Sequence, residues 1–530
     1  WAPTASQVTL ASPGVVHPLS AAGAGWWQGP PLSHGQDYAF HLDDGPARPD
    51  PRSAWQPAGV HGPSRHFDAA RHHWQDQAWQ GRAARGAVTY ELHVGTFTPQ
   101  GDLDGAITRL PHLAWLGVEM VELMPLAAFD GHHGWGYDGV GLWAVHHPYG
   151  GPAALQRFVD AAHRHGIGVC LDVVYNHCGP TGNYLPEFGP YFTTEHSTPW
   201  GHAINLDAPG SDQVRAFIIE AALRWMRDFH VDALRLDAVH TLVDTSKRHL
   251  LAELSDAVAQ LEVDLARPLS LVAESDLNDP MTVAPTSQGG QGMSAQWDDD
   301  VHHALHSMLT GERQGYYVDF GDAATFADAV SQVFVHNGTY STFRGQTWGA
   351  PVEKAITNDH FVVFSAHHVQ VGNRALGDRP GGRCNTPAAD LRPLAAAAAL
   401  VLASPFTPML FLGGEWGATS PFPYFADPTD PELGAAVTAG RKREFGTHGW
   451  AQLYGEDVEI PDPQESETFL RSHLDWDELA GSDHQRLLTW HRDLIALRAH
   501  EPALTTAERD FTGVKVDPQG TWVVLERFGP

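Results

Sequence analysis

The sequence predicts an α/β protein: a closed (β/α)8 TIM barrel with an N-terminal β-sandwich domain and a C-terminal β domain. Two observations carry the prediction. Eight short runs rich in β-branched, aromatic and aliphatic residues recur between residues 88 and 412, separated by helical patterns, and strand–helix–strand order implies parallel pairing. Several of these runs end in polar clusters, as a barrel requires when it assembles a site at the C-terminal mouth of its strands.

Residues 1–85 hold short apolar runs such as Gln7-Val8-Thr9-Leu10 and Tyr38-Ala39-Phe40-His41-Leu42 between Gly- and Pro-rich turns, the texture of a small carbohydrate-binding-like β-sandwich. Residues 86–480 are assigned to the barrel and its insertions, with strands at 88–94, 118–124, 167–174, 231–238, 269–274, 295–297, 361–365 and 409–412. Helices are expected at 104–116, from Pro152 to a stop at Gly166, from Ser211 to Phe229, at 246–265 and at 391–402. Residues 175–210 are read as a long insertion. Residues 481–530 start with a helix at 484–499 and end on Trp522-Val523-Val524-Leu525-Glu526, read as the start of an incomplete β domain.

Composition narrows the function. The chain has 530 residues, 42% of them hydrophobic, so it can bury a large core. Its formal net charge of −30 would repel a phosphate backbone or an anionic lipid surface, so nucleic acid and membrane are excluded as partners. There is no apolar run of about 18 residues and no signal-peptide pattern. The three cysteines, Cys170, Cys178 and Cys384, are odd in number and scattered, which argues against a disulfide framework and for a reducing, cytoplasmic setting.

Four strand ends carry the chemistry. They read Leu171-Asp172-Val173-Val174-Tyr175-Asn176-His177, then Ala233-Leu234-Arg235-Leu236-Asp237-Ala238-Val239-His240, then Leu271-Val272-Ala273-Glu274-Ser275, then Phe364-Ser365-Ala366-His367-His368-Val369-Gln370. Arg235 and Asp237 are two apart and share one side of a strand, where a guanidinium can hold a carboxylate ionised as a nucleophile. Glu274 ends an apolar strand, so desolvation is expected to keep it protonated as a leaving-group acid. Two such carboxyls about 5–5.5 Å apart would make a retaining glycosidase.

These segments resemble the four motifs of the α-amylase superfamily of glycoside hydrolases, in order, from residue 88 to about 420. Closer similarity is to the maltooligosyltrehalose trehalohydrolases. It is carried by Gly134-Trp135-Gly136-Tyr137-Asp138-Gly139-Val140, by Asn176-His177-Cys178-Gly179-Pro180-Thr181-Gly182-Asn183-Tyr184-Leu185, by Glu274-Ser275-Asp276-Leu277-Asn278-Asp279-Pro280 and by Val371-Gly372-Asn373-Arg374-Ala375-Leu376-Gly377-Asp378-Arg379. The resemblance implies cleavage of the α-1,4 bond next to the terminal trehalose of maltooligosyltrehalose, releasing free trehalose. It also implies a functional partner, maltooligosyltrehalose synthase, that builds the α,α-1,1 linkage.

By the same resemblance Asp237 is the nucleophile and Glu274 the acid/base, and Arg235 orients Asp237. Asp172, His177, His240 and His368 would hydrogen-bond sugar hydroxyls, Tyr137 would stack on the sugar at the cleaved bond, and Gln370 and Arg374 join the substrate-binding set. Trp200 and Trp297 are candidates for the cleft wall. No cofactor and no catalytic metal are expected, and His302, His303 and His306 are read as a satisfied helix face rather than ligands.

One departure matters. The fourth motif usually reads Asn-His-Asp, and here it is His367-His368-Val369. Valine cannot accept the hydroxyl hydrogen bonds that a third carboxylate makes, a loss of roughly two to four decades in rate. Three readings follow: a weakened or inactivated variant, another carboxylate that fills the gap, or a sugar-binding relative that no longer turns over. A glycogen-branching-type transglycosylase is the alternative activity on the same barrel.

Overall fold

The computed structural model describes residues 1–379, 391–445, 453–454, 458–517, 519–520 and 522–529, so Cys384 lies outside the described residues. Eight strands close a parallel barrel: β1 (Thr89–Leu92), β2 (Met120–Leu123), β3 (Gly168–Val173), β4 (Ala233–Leu236), β5 (Ser270–Ala273), β6 (Ala295–Trp297), β7 (Phe361–Phe364) and β8 (Thr407–Phe411). Each pairs with its neighbours in sequence order, and β8 returns to β1 through Met409↔Thr89, Leu410↔Tyr90 and Phe411↔Glu91. Every residue of these strands is buried. That is why they read as near-continuous apolar runs: helices cover the outside and side chains fill the inside.

The filling is visible as one cluster in which Met120, Cys170, Ala233, Val272, Ala295, Trp297, Val362, Phe364 and Met409 pack together, with a residue from each of seven of the eight strands. The large Trp297 sits among small Ala233 and Ala295, the alternation of bulk that closes a barrel interior without voids.

Outside, helix α1 (Gly151–Arg164) begins with Pro152 in its first turn, and its chain reverses at Gly166, where φ is 75°. It is followed by α2 (Ser211–Asp228) and α3 (Leu250–Leu265). Two helices differ from expectation. The stretch 104–116 splits into Leu103–Ile107 and Leu110–Leu116, because Pro111 has no N–H to continue the ladder. The helix expected from residue 246 begins at Leu250, because the Asp244 carboxylate accepts from the backbone N–H of both Ser246 (3.0 Å) and Leu250 (2.6 Å) and holds the intervening chain as a turn.

The N-terminal segment forms a four-stranded antiparallel sheet from Val8–Ser12, Val15–Pro18, Asp37–Leu42 and Ser64–Arg65, with a separate hairpin of Ser20–Gly23 and Trp26–Gln28. The 175–210 insertion carries a hairpin of Phe192–Thr198 and Gly201–Ile204. Near the C-terminus helix Ser482–His500 is tied to the barrel by Arg498, which donates to the carbonyls of Leu402, Ser404 and Phe406 just before β8. Strands Thr512–Val516 and Val523–Arg527 then pair antiparallel. Among the described residues no helix is long and apolar enough to cross a membrane.

The closed end of the barrel, opposite the mouth, is locked by Asp232, which is fully buried just before β4. It accepts from Val169 N (2.9 Å), Trp79 Nε1 (2.8 Å), His163 Nε2 (2.9 Å) and Arg267 Nη1 (3.0 Å). His163 is clasped on its other nitrogen by Asp76 at 2.8 Å. Burial works against its charge, but the two carboxylate hydrogen bonds outweigh it and hold the imidazole above its ordinary pKa. Asp232→Ala would take from Arg267 its carboxylate partner, leaving it only the carbonyls of Met226 and Val231, and would leave the Trp79 N–H and the Val169 N–H unpaired, so it is expected to cost about 3–5 kcal/mol of stability, read as a lowered melting temperature.

Candidate active site

The mouth is organised by strand register. Asp172 on β3 pairs with Arg235 on β4, and Leu236 pairs with Ala273 on β5. The ladder continues one step past the strand ends, with Glu274 N donating to Leu236 O and Asp237 N to Val173 O. Asp237 and Glu274 are therefore successive neighbours on adjacent staves, which in any sheet lie about 4.8 Å apart.

Arg235 is buried at the centre. Its Nη1 donates to both oxygens of Asp172 (2.9 and 2.8 Å) and to Asp237 Oδ1 (3.0 Å), and its Nη2 lies 3.5 Å from Glu274 Oε2. Beneath it the guanidinium stacks on the Trp297 ring at 4.2 Å. Trp297 is thus not a cleft residue: at 2% exposure it is the platform on which the guanidinium rests.

The other groups divide by environment. Asp237 is gripped on both oxygens, by Arg235 Nη1 (3.0 Å) and by Asn176 Nδ2 (2.8 Å), which fixes the direction of its carboxyl. Glu274 accepts the Ala238 N–H at 2.5 Å through Oε2. Burial above all, with the charges of Asp237 and Asp299, raises its carboxyl to about 8 against the pull of Arg235. Glu274 is therefore held protonated at neutral pH. Burial likewise pushes Asp172 up to about 7 against the pull of Arg235, and the three hydrogen bonds it receives all use it as an acceptor.

A chain of hydrogen bonds enters Asp172 from the opposite side. Tyr137 Oη donates to Asp172 Oδ2 at 2.6 Å and sits 2.8 Å from His368 Nε2, while His368 Nδ1 is 2.6 Å from Glu91 Oε1. Counting donors assigns the directions. Tyr137 gives its one proton to Asp172, so His368 Nε2–H donates to Tyr137, and a neutral His368 then accepts at Nδ1 from a protonated Glu91. Burial raises Glu91 and lowers His368, both toward that neutral pairing.

The remaining expected residues fall around this centre. His177, held neutral by burial, touches Asn176 and stacks on the half-exposed Trp200 at 4.3 Å and 8°. His240 is exposed and points to Asp276 Oδ1 at 3.7 Å, without a hydrogen bond to Asp237 or Glu274. Gln370 closes a capping box on the short helix His368–Gly372 and donates to Asp299 Oδ1 at 3.1 Å. Arg374 commits its guanidinium to Glu312 (2.8 and 3.1 Å) and Asp378 (3.0 Å). Val369 is half-buried beside them. His302 Nε2 pairs with Tyr317 Oη at 3.0 Å and His306 Nε2 with Glu312 Oε2 at 2.8 Å.

Two residues of the site escaped the sequence reading, Glu91 and Asn176, whereas the acidic triplet Asp298-Asp299-Asp300 was open between a solvated helix start and substrate contact. Glu91 was signalled only as a lone acid in a strand otherwise buried on both faces. Glu91, His367 and His368 place one donor atom each within 4.8 Å of one another, yet both ring nitrogens of His368 and Nδ1 of His367 are already engaged.

A (β/α)8 barrel whose mouth holds an Asp–Arg–Asp cluster beside a raised Glu defines a glycoside hydrolase of the α-amylase class, and residues 63–196 match the model of the alpha-amylase catalytic domain. A malto-oligosyltrehalose trehalohydrolase of Arthrobacter ramosus is 51% identical over 95% of this chain and 87% of its own length. That of Mycobacterium tuberculosis is 49% identical over 99% and 90%. The crystal structure of a putative alpha amylase from Salmonella typhimurium is 39% identical, with a TM-score of 0.89 over 98% of this chain and 87% of that one. The chain belongs to the malto-oligosyltrehalose trehalohydrolase family.

The proton assignment is testable. Glu91→Gln keeps a donor toward His368 Nδ1 and an acceptor for His368 N–H (3.0 Å), so its melting point should shift by less than about 1 kcal/mol equivalent. Glu91→Leu orphans both and should cost about 1–3 kcal/mol.

Proposed function

We propose that this chain hydrolyses the α-1,4-glucosidic bond adjacent to the terminal trehalose of maltooligosyltrehalose and releases free trehalose by a retaining double displacement. The observation that carries the reading is the shared guanidinium: Asp237 and Glu274 both lie within 3.5 Å of Arg235, and Glu274 is held protonated.

The mechanism follows from those states. Glu274 gives its proton to the glycosidic oxygen as the bond to trehalose breaks, and Asp237 Oδ attacks the anomeric carbon from the opposite face to form a glycosyl ester. Trehalose leaves, and the now ionised Glu274 takes a proton from the incoming water. The water oxygen bonds the anomeric carbon, the ester breaks, and Asp237 is regenerated with the original anomeric configuration. Both carboxyls contact the two terminal nitrogens of one guanidinium, Asp237 Oδ1 at 3.0 Å and Glu274 Oε2 at 3.5 Å, a proximity that supports this course, in which the carboxyls stand about 5–5.5 Å apart, over an inverting one at about 6.5–9.5 Å. Arg235 stabilises the Asp237 carboxylate and keeps its lone pairs directed. Tyr137, stacked on His368 at 5.1 Å, and Trp200 offer aromatic faces for sugar rings.

The substrate is supplied by a synthase that forms the α,α-1,1 linkage on a maltooligosaccharide. The free thiols Cys170 and Cys178 support a reducing, cytoplasmic setting.

Incubation with maltotriosyltrehalose, followed by chromatography, is expected to yield trehalose and maltotriose, and Asp237→Asn to lower kcat by about 10^4 or more. A branching-type transglycosylase would instead change iodine staining of amylose with no free trehalose. Because Glu274 acts in its protonated form and that form disappears as pH rises through about 8, kcat/KM should fall on the alkaline side with a limb near 8. A profile flat from pH 6 to 10 contradicts the assignment.

A further inference from the structure

Of the acidic triplet Asp298-Asp299-Asp300, two members are accounted for. Asp298 caps helix α4 (Asp299–Thr310) by accepting from Asp300 N (3.1 Å) and Val301 N (3.3 Å). Asp300 braces a loop by accepting from Asn278 Nδ2, Val335 N and His336 N, each at 2.9 Å. Asp299 is different. It is the first residue of α4, directly beyond β6, and β6 lies between β5, which ends in Glu274, and β7, which leads to His367 and Val369.

Its carboxylate is oriented rather than consumed. Oδ1 accepts from Gln370 Nε2 at 3.1 Å and lies 3.6 Å from His367 Nε2. His367 Nδ1 already accepts the Val369 N–H at 3.2 Å, so the ring proton is on Nε2 and points at Asp299. Oδ2 accepts no hydrogen bond from the described residues, and the side chain keeps 28% exposure while its neighbours are buried. Burial would raise this carboxyl, but the His367 contact, with His303 and Arg235 nearby, brings it below the ordinary range, so it is ionised. Gln370 and His367, which hold it, follow the end of β7, so it stands at the same mouth as Glu274 beyond β5.

We propose that Asp299 is the third carboxylate of this site, accepting hydrogen bonds from hydroxyls of the sugar at the cleaved bond as the transition state develops. In this chain it does what the apolar side chain at 369 cannot. The inference rests on the hydrolase reading above. The two departures in the fourth segment then act together: His367 orients Asp299 from one side while Val369 leaves the space beside it uncharged.

The test is a four-variant comparison on maltotriosyltrehalose: the natural chain, Asp299→Asn, Val369→Asp and the double variant. Asp299→Asn is expected to lower kcat by about 10^2–10^3 with KM changed by less than about threefold, since the interaction strengthens only in the transition state. Val369→Asp alone should change kcat by less than about threefold, because the role is filled, and in the double variant it should recover at least about tenfold of the loss. The rescue separates a substrate-contacting carboxylate from a structural one.

A natural chain that releases no trehalose overturns the hydrolase reading itself. A natural chain that releases trehalose, with Asp299→Asn within about threefold of it, overturns this inference alone. So does a gain of about 10^2 or more from Val369→Asp in the natural background, a result that needs no folded Asp299 variant.

Discussion

Arg235 is the constraint around which the rest of the site is arranged: one buried guanidinium facing Asp172 and Asp237 in hydrogen bonds and Glu274 at 3.5 Å. Burying that charge is unfavourable unless it is paired, and three paired carboxyls cannot all ionise beside one cation. The excess proton must reside somewhere. Glu274, with a single backbone donor and a carboxyl raised by burial, keeps it, while Asp237 has both oxygens engaged by Arg235 and Asn176. The division between acid and nucleophile is thus a consequence of how donors are shared out, before any substrate arrives.

The barrel makes this sharing rigid. Parallel register sets Asp172 beside Arg235 and Asp237 beside Glu274, Trp297 closes the space beneath, and Glu91, His368 and Tyr137 deliver a directed run of hydrogen bonds to Asp172. At the opposite end Asp232 joins the segment before the barrel, α1, β3 and the turn before β5. Chemistry and anchoring occupy different ends, so loops at the mouth can vary without loosening the staves.

How much of this was legible in the sequence follows from the range of each interaction. The eight strands were readable because burial on both faces leaves apolar runs. The pairing of Arg235 with Asp237 was readable because a strand repeats every two residues. The role of Glu91 was not, since its partner His368 is 277 residues away. The start of α3 was missed because Asp244 competes for backbone donors, a contest that propensity does not record. Asp298, Asp299 and Asp300 are identical as letters; only the fold shows one capping a helix, one bracing a loop and one holding an oxygen free.

The central claim is that Asp237 carries the sugar between the two half-reactions. Trapping with a fluorinated glucosyl fluoride, digestion and peptide mass spectrometry test it directly. The account predicts a single glycosyl ester on the peptide containing Asp237, absent from Asp237→Asn. An ester on Glu274 or Asp299, or a product of inverted anomeric configuration, would contradict it.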